Sequence, residues 1–225
     1  MSTAIHSFDE DADSVLEAMG LGGEMLEEVC RRGLAQFLTA TPHHPSNAAG
    51  LFLYLELVQT LRQKLIPTGW ELDEGGLALT FNKTLGIAIA VRSGDAHSGD
   101  PTKTPSFKYP ESTTMHEAIG GNARQLGLFD GVPAFAAFVA PAPPKRVDFN
   151  KLRTWWLLHF VDTARGIMRA ELSLPINLGD SDETDQWETR IILASIPFDE
   201  EPQIEPAGGD PGGSYFEVPV RMKAR

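Results

Sequence analysis

The chain has 225 residues, of which 42% are hydrophobic and 22% charged, with a formal charge of −12 and a single cysteine. That length and apolar share suffice for one sizeable core, and Cys30 alone excludes an intrachain disulfide and a cysteine-built zinc site. No apolar run reaches the roughly 18 residues of a membrane-spanning helix, and the opening MSTAIHSFDEDADSV lacks the basic and apolar regions of a signal peptide. The expected setting is the cytoplasm, with no membrane partner.

The charge is unevenly spread. Residues 1–30 hold eight acids and no Lys or Arg, and residues 180–210 hold ten acids beside Arg190 alone. The remainder is mildly basic, with Lys145, Arg146, Lys151 and Arg153 close together. Acidic flanks serve solubility, while a basic middle offers a local patch to an acidic partner.

In chain order, residues 11–40 carry apolar residues at helical spacing, broken by MGLGG. Cys30 lies four residues from both Leu26 and Leu34, on the apolar stripe, and reads as a core thiol. TATPHHPSN then punctuates the chain, and Ser46 or Asn47 is the expected cap of a helix from Ala48 to about Leu65, ending before Pro67. Its first half, LFLYLELV, is apolar nearly all round, which predicts a central, buried helix. Glu56 is conspicuous there, because a buried carboxylate needs a partner or a proton. Adjacent His43 and His44 point apart, which does not suit a shared metal.

Three strand-like runs follow, at residues 69–72, 77–81 and 85–91, joined by connections short enough for hairpins. The third has no charge before Arg92, as befits a central strand covered on both faces. It opens onto VRSGDAHSGDPTKTPSFKYP (residues 91–110), a polar loop at the end of a buried strand. Residues 113–128 suit a helix capped by Thr113 or Thr114, weakened by Gly120 and Gly121. A strand at 134–139 and the stiff connector PAPPKR come next. TWWLLHFVD and IMRAELSLPI then read as a hairpin through TARG, and TRIILASI as a further strand. EPQIEPAGGDPGGS reads as a linker before a last strand, SYFEVPVRM. The order predicts an α+β fold, with N-terminal helices packed on a mostly antiparallel sheet and a β-rich C-terminal half. A single domain over residues 1–225 is expected, with an acidic segment at 1–14 and a flexible linker at 199–213.

Familiar catalytic motifs are missing: the sequence contains no GxxxxGK[ST], GxGxxG, GxSxG or HExxH. The strongest candidates sit in the polar loop. Asp95, His97 and Asp100 have a spacing that suits one divalent ion, whereas Arg92, Lys103 and Lys108 suit an anion. Asn122 and Arg124 share a helical turn with Gln125 and are expected to line a polar groove nearby. Trp155 and Trp156 face opposite sides of a strand, which places one in the core and leaves the other to stand exposed beside Arg153, as an interface or stacking residue. His159 reads as a satisfied or edge histidine. Arg169 and Glu171 share one strand face and read as a surface pair.

Two functional readings stay open. The first is a non-enzymatic binding or regulatory protein, without a cofactor, that engages a macromolecule through Arg92, His97, Lys103, Lys108, Asn122, Arg124, Arg153, Trp155 and Trp156. Another protein is the expected partner, and nucleic acid is the second class those residues allow. The alternative rests on the order helix, three strands, helix, strand, which resembles the restriction-endonuclease-like core. That resemblance implies a metal-dependent phosphodiesterase or nuclease with a degenerate site, since IAIAVRS carries no acid-x-lysine pair. Asp95, Asp100 and Glu56 would do its chemistry with Mg²⁺ or Mn²⁺, the ion held by Asp95, His97 and Asp100. It requires the carboxylates to converge within about 5 Å of a common point. Oligomeric state is left open by the sequence.

Overall fold

Helically spaced leucines early in the chain produce a pair of closely packed helices. In the computed structural model, which describes residues 3–7, 10–73, 77–109, 112–126, 148, 151–178 and 184–199, β1 (Ala4–Ser7) precedes α1 (Glu10–Ala18), α2 (Gly23–Leu38) and α3 (Ala48–Leu65). Gly33 lets α2 and α3 approach: a Cβ there would lie 2.6 Å from Leu57 Cδ2. Leu26, Val29 and Leu34 of α2 and Leu53, Leu57, Leu61 and Leu65 of α3 are buried, and each such side chain contributes roughly 1.5–3 kcal/mol. Cys30 joins this core, where burial pushes its thiol up to about 12. It is therefore a packing residue rather than a thiolate.

The expected bounds of α3 are met, but its surroundings are not those expected. Asn47 occupies the N-cap position and makes no side-chain bond to the helix. The helix is not buried all round either: Leu51 is 48% and Leu55 54% exposed. α2 and the sheet cover one side of α3 and leave its outer ridge bare.

Next, β2 (Glu71–Leu72), β3 (Thr80–Asn82) and β4 (Ile87–Ser93) form an antiparallel meander. Asn82 Oδ1 accepts the N–H groups of Thr84 and Leu85 and so closes the turn into β4. β5 (Arg153–Asp162) lies parallel to β4, after a crossover containing α4 (Thr113–Leu126). β6 (Ile167–Leu178) and β7 (Thr184–Ile192) continue antiparallel, and β1 adds to β7 in parallel. The order across the sheet is β1-β7-β6-β5-β4-β3-β2, and β8 (Ile196–Pro197) pairs with the first residues of β6. Helices ahead of a mixed, mainly antiparallel sheet make an α+β fold. β1 falls in the segment read only as an acidic flank.

Strand alternation divides the apolar residues between two faces. Ile87, Ile89, Val91, Trp155 and Leu157 pack with α2 and α3. Ala88, Ala90, Trp156 and Leu158 pack with Met115 of α4 and with Trp187. Both tryptophans are thus buried, which corrects the expectation that one would be exposed. α4 starts one residue earlier in its capping than predicted, since Ser112 Oγ accepts the Met115 N–H at 3.4 Å. Among the described residues no helix is long and apolar enough to cross a membrane. The strand predicted at 134–139, the PAPPKR connector with Lys145 and Arg146, and the last strand SYFEVPVRM lie outside the described residues, as does the linker beyond Asp199.

Candidate functional site

The polar loop after β4 closes on itself. Gly94 and Phe107 form an antiparallel bridge, the Lys108 N–H donates to the Ser93 carbonyl, and the Asp95 N–H donates to that of Ser106. Between these ends the carboxylates serve turns. Asp95 Oδ1 accepts the His97 N–H at 3.0 Å, and its Oδ2 accepts the Ser106 hydroxyl at 3.2 Å. Asp100 Oδ1 accepts the Thr102 hydroxyl at 2.6 Å and the Thr102 N–H at 2.9 Å. Those two bonds, the hydroxyl first, hold the Asp100 carboxyl below the usual carboxylate range.

Beneath the loop lies an ion pair. Arg190 of β7 donates from Nε to Glu171 Oε1 at 3.1 Å and from Nη2 to Oε2 at 2.5 Å. Both side chains are buried, at 3% and 0% exposure. Arg190 also donates to the carbonyls of Lys103 and Asp100, and Glu171 accepts the Ser173 hydroxyl and the Gly99 N–H. Gly99 has φ 72°, and a Cβ there would lie 2.7 Å from Arg169 Cβ, so only glycine lets the loop settle this low. The surface pair expected of Arg169 and Glu171 is therefore corrected: Glu171 is covered, and Arg169 reaches the Ala96 carbonyl. The lone Arg190 among ten acids was the sequence signal for this network.

The predicted metal and catalytic set does not assemble. Asp95 and His97 are neighbours, with Oδ2 and Nδ1 3.3 Å apart, but Asp100 is turned to Thr102. Glu56 bonds Arg32 at 3.1 Å and Thr60 at 2.9 Å, in the α2–α3 layer. The loop lies on the opposite face of the sheet, over Arg169, Glu171 and Arg190, so the sheet separates Glu56 from Asp95 and Asp100. Among the described residues no three His, Cys, Asp or Glu side chains gather to hold a metal. The elements α3, β2–β4, α4 and β5 follow one another in the order read from the sequence, and β4 carries no acid.

The predicted binding residues also scatter. Asn122 is buried and clamps α4 to the sheet, donating to the Thr154 and Pro175 carbonyls and accepting the Thr154 N–H. That corrects its assignment to a groove. Arg153 pairs with Glu188, while His97 and Lys103 stand on the outer rim of the loop. Arg124 belongs to α4, and its side chain lies outside the described residues. Arg92 and Lys108 alone come together, at the carboxyl ends of β4 and β5.

Two concave surfaces flank α3. One is a cleft of about 780 Å³ over the carboxyl ends of β4 and β5, reached by Arg92, Ser93, Lys108 and His159 and roofed by the start of α3. Parallel strand ends are a recurrent place for ligands. His159 is 3% exposed, with Nε2 3.5 Å from Ser93 Oγ. Burial, reinforced by the Lys108 charge, pushes its imidazole down to about 4, so it is neutral at pH 7. The other surface is a groove of about 770 Å³ between the outer ridge of α3 and the β2 edge, lined by Tyr54, Leu55, Val58, Arg62, Ile66 and Leu72 among others. Sequence reasoning missed it because an all-apolar helix reads as buried.

Comparison with family models, with curated proteins and with solved structures yields no match. The sites are therefore read from their own geometry.

Proposed function

We propose that the protein is a non-enzymatic binding module whose partner is another protein, docked in the groove between α3 and the β2 edge. One observation carries this reading. The outer ridge of α3, where a surface helix normally carries charge, presents Leu51, Leu55, Gln59 and Gln63, continued by Ile66. Leu72 of β2 stands 42% exposed across the groove, so apolar side chains face one another over an open channel. Contiguous exposed apolar surface of this kind marks interaction sites.

The lining also limits the partner. Among the described residues of the lining Arg62 is the only charged one, and its Nε has no hydrogen-bond partner among the described residues. A fitting segment therefore carries leucine-like anchors at helical spacing and an acid opposite Arg62. The site shifts from the basic, aromatic middle expected of the sequence to an apolar helix face, because Trp155, Trp156 and Asn122 serve the interior and Arg153 is paired with Glu188.

The test is fluorescence anisotropy with labelled amphipathic peptides bearing leucines four residues apart and one glutamate. Saturable binding to the wild type, lost in Leu55→Lys and weakened in Arg62→Ala, supports the reading. Binding of equal strength to Leu55→Lys, or none by any peptide of the panel, overturns it.

A further inference from the structure

We propose that the cleft at the carboxyl ends of β4 and β5 binds a small organic anion, a carboxylate or phosphate ester on an apolar body, with Lys108 and Ser93 at its charged end. The chain has 31 acids against 19 Lys and Arg, yet the described lining of this cleft holds Arg92 and Lys108 and no carboxylate. In so acidic a protein, a concavity whose described lining gathers two cations and no acid favours negative charge. Lys108 is exposed and makes no ion pair among the described residues, its ammonium lying 5.5 Å from the Tyr109 ring centre.

Three further features fit the same ligand. The first turn of α3 roofs the cleft, so the positive end of an 18-residue helix faces it, without a side-chain cap from Asn47. Ser93 and the neutral His159 supply polar atoms from adjacent strands at the floor. Leu53, Tyr54 and Phe160 give the cleft an apolar wall. Its volume suits a molecule of drug-like size rather than a bare ion.

This site is independent of the docking groove; Tyr54 is common to both linings. The experiment is NMR titration of the full chain with phenyl phosphate, benzoate and inorganic phosphate, following the His159 imidazole and the Lys108 backbone N–H. The expected result is saturable shifts at both reporters with phenyl phosphate or benzoate, and weaker binding of inorganic phosphate, which lacks the apolar body. Whichever of the first two binds more tightly identifies the charged group. Lys108→Gln, an exposed substitution, should weaken binding about 10-fold, the value of one charge-assisted bond, and Leu55→Lys should leave it unchanged. Absence of saturable shifts with all three compounds, or equal affinity in Lys108→Gln, overturns the proposal.

Discussion

Two regions of this protein reverse the ordinary placement of side chains. Under the loop that follows β4, Glu171 and Arg190 are buried as an ion pair. On the outer side of α3, Leu51 and Leu55 are about half exposed. The loop looks functional because it is rich in Asp, His and Lys, yet Asp95 and Asp100 are bonded within it and its Gly99, Asp100 and Lys103 backbone groups to the pair beneath. The helix looks like core because it is rich in leucine, yet its ridge has no cover among the described residues. A polar residue with all its bonds made inside the fold has little left for a ligand, whereas an apolar residue left in water gains by association.

The comparison breaks most visibly at Arg190. Arg190→Met leaves Glu171 buried without its partner and should cost about 3–5 kcal/mol in urea unfolding. A loss under about 1 kcal/mol would mean that the loop does not depend on the pair. Pairing Arg190→Met with Glu171→Leu should recover much of that stability, since apolar replacements can match a buried pair. Faster proteolysis at residues 94–108 should persist, because the bonds to the Gly99 N–H and to the Asp100 and Lys103 carbonyls are gone.

A smaller effect concerns His159. Its folded value, about 4, lies below the ordinary 6.5, so as pH falls through that window the unfolded chain takes up a proton that the folded one refuses. Stability is therefore fully present above pH 6.5 and declines toward pH 4, by an amount on the order of 3 kcal/mol. Unfolding midpoints measured across the window should slope in the wild type and lose this component in His159→Gln. The smallest effect on stability belongs to the ridge: Leu55→Lys should shift unfolding by no more than about 0.5 kcal/mol while abolishing peptide binding. A large destabilisation would mean that the ridge is packed rather than free to dock.

Much of the fold was legible because it rests on local periodicity. The α3 bounds followed from the apolar run and Pro67, the β5–β6 hairpin from TARG between two apolar runs, and the Cys30 environment from its spacing to Leu26 and Leu34. The sites were less legible because they depend on what covers what. The LFLYLELV run shows that α3 is apolar but not which side lacks a neighbour. Asp95 and Asp100 have metal-ligand spacing, but Ser106 and Thr102 had already engaged them within the loop. Glu171 and Arg190 are 19 residues apart, and only the β6–β7 register, with Glu171 opposite Ile192 and Ser173 opposite Arg190, brings them together. Lys108 was read as a loop cation suited to an anion. The cleft it faces needed α3 to be placed above β4.

The most direct measurement is hydrogen–deuterium exchange of the whole chain with and without a binding amphipathic peptide. The account predicts new protection along residues 48–66 and at the β2 edge, with residues 94–108 unchanged. Protection confined to residues 94–108 would contradict it and return the working surface to the loop.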